Sequence, residues 1–252
     1  KTRTMEFSKK ELNHVILAVL LLTFIFGFND GNETFQAGAY FKNILVVFLS
    51  VCVIFGTYFI TQKIVAKKYS IVITFSLWCI QRFYINRGKA IEKSKLKNLY
   101  IGPIISFFVT FISRGTFFLP LVASFQESEK RHYRAGRQYV HMEGFEEAKI
   151  ALSGILAIVL LVMFTSLLNQ NGMFDQFIKI CVYFASFQLL PLPRLEGGRI
   201  FFNSIPLYIF ATIFIGVTFV LAIYLNVIYS ILIALLLAMI IVFIYFYKYK
   251  KY

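Results

Sequence analysis

The stretch from Phe187 to Phe202 reads FQLLPLPRLEGGRIFF. Two prolines, two glycines, two arginines and one acid, Glu196, lie between apolar runs. The prolines stop a regular helix. The paired glycines, Gly197 and Gly198, allow turns and close backbone approach. A carboxylate at the end of a greasy run either holds something or marks where the chain leaves lipid.

The chain around it favours lipid. It has 252 residues, 59% of them hydrophobic, with a mean hydropathy of +0.73. Charged residues make up 15%, against about 25% in soluble domains. A soluble fold of this size does not hide so many Phe, Ile and Leu side chains. The net charge of +14 therefore reads as Lys and Arg gathered on one membrane face, where they favour anionic lipid, and not as nucleic-acid binding. The three cysteines, Cys52, Cys79 and Cys181, sit in apolar segments without a CxxC pair. Neither a disulfide framework nor a cysteine zinc site is expected. The first apolar run reads as a retained span, without a cleavage site after it.

A helical span takes about 20 apolar residues. Six are expected, near 12–28, 41–62, 148–168, 174–190, 205–223 and 227–247. The stretch 99–125 is apolar too, but Gly102-Pro103, Ser113-Arg114-Gly115 and Pro120 interrupt it. An arginine at bilayer depth costs a few kcal/mol. If 99–125 enters and returns as a re-entrant hairpin, the basic N-terminus, the segment 63–98, the segment 126–147 and the basic C-terminus share one side. The loops 29–40 and 169–173, free of Lys and Arg, then share the other. The positive-inside rule makes the basic side cytoplasmic, with both termini there. If 99–125 spans, the basic C-terminus breaks the rule. The re-entrant reading is preferred. It puts the sequon Asn32-Glu33-Thr34 outside. The expected fold is one polytopic, all-α domain of an integral cell-membrane protein, over 1–252. It has a core at 41–202, an insert at 99–125 and a helical pair at 205–247.

The motif PLPRLEGGR falls at the inner end of the span 174–190. It resembles the site-2 protease family of intramembrane zinc metalloproteases, whose third zinc ligand is an Asp within Asn-x-x-Pro-x-Pro-x-Leu-Asp-Gly. Pro191, Pro193, Leu195 and Gly197 match; Gln188 and Glu196 stand where the family has Asn and Asp. The run Ile150–Ile158 is similar to the family's small-residue span beside the active site. Small residues permit close helix approach in lipid. The likeness covers about 40–202 and implies a site-2-protease-like core.

The family also carries His-Glu-x-x-His on a span, often followed by a basic tail like Lys63–Tyr69, KIVAKKY. Counting back puts the motif at Tyr58-Phe59-Ile60-Thr61-Gln62. Tyr58 and Gln62 then take the two ligand positions, and Phe59 the position of the general base. Catalytic zinc takes three protein ligands and a water. Glu196 alone is a weak ligand set, and Phe59 takes no proton from water. The resemblance therefore implies the fold without zinc, and a degenerate member lacking activity. Tyr58 and Gln62 are expected either to hydrogen-bond Glu196 across the old cavity, or to leave it solvated near Arg194 or Arg199. The binding positions to inspect are Glu196, Gln188, Gly197, Tyr58 and Gln62.

His14, His132 and His141 fit no metal-ligand spacing. The run Ser70–Trp78 alternates like a strand, either structural or an edge for a client peptide. Three functions are weighed. The first is an inactive relative that binds transmembrane partners as a scaffold, escort or assembly subunit. The second is a working zinc protease with unusual ligands. The third is a transporter or channel, disfavoured because the spans hold so few ionisable groups.

Overall fold

A computed structural model describes residues 8–29, 36–69, 71–81, 98–127, 143–169, 172–224 and 227–249. The sequon at Asn32, the basic run 82–97, and His132 and His141 lie outside the described residues. The elements run α1 (Lys9–Gly27), α2 (Ala37–Lys68), β1 (Ile73–Leu77), β2 (Ile80–Gln81), β3 (Asn98–Leu99), α3 (Ile101–Ile112), β4 (Ala123–Glu127), α4 (Gly144–Leu168), α5 (Asp175–Gln188), α6 (Glu196–Asn203), α7 (Ile205–Tyr224) and α8 (Val227–Tyr249).

The chain is mostly helical, and the helices follow the apolar runs. Among the described residues five are long and apolar enough to cross a membrane: Lys9–Gly27, Ala37–Lys68, Gly144–Leu168, Ile205–Ala222 and Ile228–Lys248. The expected span 174–190 forms α5, of 14 residues. At 1.5 Å per residue it is about 21 Å long, shorter than the five.

The helices divide their faces between protein and lipid. On α2, Val47, Val51, Ile54, Phe55, Tyr58, Gln62 and Ala66 are buried, while Leu45, Leu49, Val53, Ile60 and Ile64 are exposed. Such apolar surface is what a bilayer covers. α2 and α4 pack along each other, α1 packs on α2, and α5 fills the groove beside α2 and α4. The core thus also takes in Ala18, Leu22, Ile25 and Phe26 of α1. A cavity of about 10 Å³, lined by Leu22, Phe26, Val51, Ile54, Phe55, Ile180 and Phe184, remains between α1, α2 and α5. Its lining is wholly apolar, so it gives a water no partner. α7 and α8 form a hairpin. The buried stripe Ser230, Ala234 and Ala238 permits close helix approach.

The two ends of the bundle differ. One end, called here the near end, holds Lys9, the C-terminus of α2 and the start of α4. There Lys63 Nζ lies 2.9 Å from Glu11 Oε1, and the Lys149 ammonium sits 5.7 Å above the Tyr69 ring. At the far end Gln176 at the start of α5 donates to Asn43 Oδ1 near the start of α2, at 2.7 Å.

Strands lie at the near end. β1 pairs antiparallel with β4, Phe75 opposite Phe125, and β2 pairs with β3. The alternation in Ser70–Trp78 thus yields a strand over 73–77. Its outer edge is engaged, because Phe75 N donates to Glu11 Oε1 at 3.0 Å. The outer edge of β4 is engaged as well, since the Arg199 guanidinium donates to Phe125 O at 2.5 Å. Neither edge is free for a client peptide at these residues.

Between β3 and β4 the chain makes a hairpin beside α1. Ile80 pairs with Leu99 and Leu77 with Ala123, so the excursion starts and finishes in one place. Its helix, α3, has 12 residues, about 18 Å. Buried Ser106 and Thr110 face inward. The Ser106 hydroxyl accepts from Leu121 N at 3.2 Å, and the Ser113 hydroxyl from Phe117 N at 3.3 Å. These bonds satisfy backbone groups that the returning limb cannot pair within itself.

Candidate functional site

α6 begins at Glu196, at the near end of the bundle. The preceding loop is bolted to the strands. Trp78 Nε1 donates to Pro193 O at 2.8 Å, and Ser124 Oγ to Arg194 O at 2.9 Å. Arg194 adopts a positive φ of 67°, and its guanidinium donates to Cys79 O at 2.8 Å. Arg194 is therefore turned towards the strands rather than paired with Glu196. The glycines explain the tight junction. A Cβ on Gly197 would overlap the Leu189 and Leu190 carbonyls, and one on Gly198 the Leu192 carbonyl. Only glycine lets the first turn of α6 rest on this loop.

That junction drives Glu196 into the core with 0% exposure. Tyr58 Oη donates to Glu196 Oε1 at 2.5 Å. Residues 138 apart in sequence thus meet in one buried contact. Gln62 lies one turn further along α2, 1% exposed. Gly154 of α4 makes room for both: a Cβ there would lie 2.7 Å from the Tyr58 ring and 2.8 Å from Gln62 Nε2. Gly154, in the small-residue run of α4, thus packs on Tyr58 and Gln62. Gln188 closes α5 at 0% exposure, one residue before the carbonyl that rests on Gly197. Of the expected alternatives for Glu196, solvation at the surface is the one the structure does not adopt.

Phe59 takes a different direction. Its ring meets Phe75 at 5.5 Å between centroids, and Lys63 Nζ lies 4.8 Å above it. It packs against the strand side of the bundle.

Burial pushes the Glu196 carboxyl from its ordinary 4.5 up to about 7. The Arg199 charge and the hydroxyl of Tyr58 pull the other way, as does the nearby Gln62 amide. Glu147 adds a smaller upward push. Arg199 sits between the two carboxylates. It bonds Glu147, its Nε is 4.0 Å from Glu196 Oε2, and its guanidinium lies 4.0 Å above the Phe125 ring. Asn203 Nδ2 donates to the other Glu147 oxygen at 3.0 Å. Around the cluster Glu196 Oε2, Gln62 Nε2 and both amide atoms of Gln188 are buried without a hydrogen-bond partner among the described residues.

The donor chemistry does not fit zinc. The Tyr58 hydroxyl is committed as a hydrogen-bond donor to the carboxylate, and Gln62 and Gln188 are neutral amides. Catalytic zinc takes imidazole, thiolate and carboxylate ligands, three from the protein. This cluster supplies two carboxylates at most, Glu196 and Glu147, with the Arg199 guanidinium between them. Among the described residues no three His, Cys, Asp or Glu side chains gather at a point. His14 is beside Tyr100 instead, its Nε2 3.5 Å from the phenol oxygen.

Two features escaped the sequence reading. One is the bridge from Arg199 to Glu147 and Phe125 O, which joins α6 to α4 and β4; Arg199 was expected only beside Glu196. The other is the buried Glu11–Lys63 pair on the edge of β1. A signal existed for the second, since Glu11 is an acid opening an apolar helix, but its partner lies 52 residues away. No family model matches the chain, and neither a curated protein nor a solved structure matches it.

Proposed function

We propose that this chain is a catalytically inactive relative of the site-2 proteases that works by binding transmembrane partners, as a scaffold or assembly subunit. The observation that carries the reading is the Tyr58–Glu196 contact. It joins the position of a missing imidazole to the position of the family's acidic ligand, inside a close-packed frame of α2, α4 and α6. Tyr58, at one ligand position, is hydrogen-bonded to Glu196, and Gln62 is buried beside it, which supports a packed rather than a metal-holding site. The binding residues of the remodelled site are Tyr58, Gln62, Gln188, Glu196 and Gly197.

The same reading gives six spans, with α5 as the short one, and the hairpin 99–125 as a re-entrant insert. Both termini are then cytoplasmic. The gathering of Lys9, Lys10, Lys67, Lys68 and Lys149 at the near end supports that orientation. Anionic lipid is the expected neighbour of this face.

Two measurements test the proposal. The purified full chain is incubated with zinc, desalted and analysed for metal. Sub-stoichiometric metal that Glu196→Ala does not change is expected. About one zinc per chain, lost in Glu196→Ala, refutes the inactive reading in favour of a protease with unusual ligands. In membranes, a photoreactive residue at exposed Ile60 of α2 is expected to give a discrete adduct with a membrane-spanning protein. Adducts with lipid alone refute the binding role at that face.

A further inference from the structure

The contacts of the hairpin with α1 form a depth scale. Tyr100 meets His14, with ring centroids 5.9 Å apart. Phe107 stacks on Phe24 at 5.0 Å, and Phe111 meets Phe28 at 6.3 Å. At the tip a Cβ on Gly115 would lie 2.9 Å from the Asn29 side chain. On the way back Phe118 meets Phe26 at 5.6 Å, and Leu121 reaches Ser106. α3 therefore climbs parallel to α1 to its last residue, and the extended limb descends.

From Lys9 to Gly27 α1 is about 28 Å long, close to the thickness of the hydrocarbon core, and Asn29 follows just beyond its end. The tip beside Asn29 thus lies at the bilayer edge opposite Lys9. At that tip Arg114, with a φ of 51°, and Gly115, with a φ of 73°, turn the chain. Arg114 is exposed, between Ile112 at 78% and Phe117 at 64% exposure. An arginine among lipid-facing side chains is costly at mid-depth and well placed at the headgroups.

We infer that the 99–125 hairpin passes nearly through the bilayer and presents Arg114 to lipid phosphates of the leaflet opposite the N-terminus. The guanidinium fork matches a phosphate, and the two apolar neighbours fix its depth. The inference rests on the hairpin reading proposed above and makes the insert an anchor spanning both leaflets.

The test uses the full chain in sealed phospholipid vesicles with a membrane-impermeant maleimide. The background is Cys52→Ala, since Cys79 and Cys181 are buried. Arg114→Cys is expected to label from the face opposite Lys9→Cys, and Glu143→Cys from the same face as Lys9→Cys. Labelling of Arg114→Cys only from the Lys9 face, or only in detergent, overturns the depth assigned to the tip and leaves the hairpin standing. Glu143→Cys labelling opposite Lys9→Cys overturns the hairpin reading itself. For the ligand, Arg114→Gln is expected to lower the melting temperature by about 3 °C in phosphatidylcholine and to have no effect in phosphate-free galactolipid. An equal loss in both lipids makes Arg114 a helix-terminal charge and overturns the phosphate contact. Recovery of the difference in galactolipid on adding inorganic phosphate overturns the lipid as its source.

Discussion

Replacing Glu196 by glutamine keeps the size of the side chain and an oxygen that accepts from Tyr58, and removes only the charge. The carboxyl titrates near 7 in the folded chain against its ordinary 4.5. Between these values the folded state holds a proton that the unfolded state has lost. Stability linked to this group is therefore complete below about pH 4.5 and declines as pH rises, with the loss complete above about 7. The shift of about 2.5 units corresponds to about 3 kcal/mol. Glutamine has no such loss. At pH 5 Glu196→Gln is expected to exceed the wild type by no more than about 1 kcal/mol. At pH 8 it is expected to be more stable by about 3 kcal/mol, or about 8 °C in melting temperature for a chain of this size. Melting of the detergent-solubilised protein, followed by far-ultraviolet circular dichroism from pH 5 to pH 8, reads the difference. Parallel pH profiles for the two proteins, or a variant less stable than wild type at pH 8, would refute the burial argument. The second result would mean that the charge itself is needed, by a cation bound there or by Arg199.

Tyr58→Phe leaves Glu196 Oε1 without its donor inside the core. A loss of about 1–3 kcal/mol is expected at pH 8, shrinking towards pH 5 as the carboxyl becomes neutral, and the same melting series reads it. Gly154→Val places carbon where the Tyr58 ring and Gln62 already lie. It is expected to separate α2 from α4, at a cost of about 3 kcal/mol or outright failure to fold, seen as lost expression or an early melt. Lys63→Met removes the ammonium that faces Glu11, which is 2% exposed, with an expected loss of about 3 kcal/mol. Adding Glu11→Gln to that variant is expected to return much of it, measured as a double-mutant cycle.

Much of the architecture was legible along the chain. Hydropathy is local, so the long apolar helices could be located from composition and run length. The break at Pro191–Pro193, and the glycines after it, announced the loop and the restart of a helix at Glu196. The strand over 73–77 showed in its alternation. Within the interrupted stretch 99–125, Gly102-Pro103 lies in the first turn of α3 and Ser113-Arg114-Gly115 in the turn that follows it. The length of α5 was not legible, because its apolar run passes into the loop at Leu189 and Leu190 without a change in hydropathy.

What the residue order determined by itself was a chain of long helices apolar enough to cross a membrane, with one acid, Glu196, set just after the break at Pro191–Pro193. What only the tertiary structure decided was where each charge went. Glu196 is buried on Tyr58 and not solvated, Arg194 turns to Cys79 while Arg199 bridges to Glu147, and Glu11 covers the edge of β1 with Lys63. Apolar periodicity reports which face of a helix is buried. It carries no information on which two polar groups, 52 or 138 residues apart, close packing will force to share one dry space.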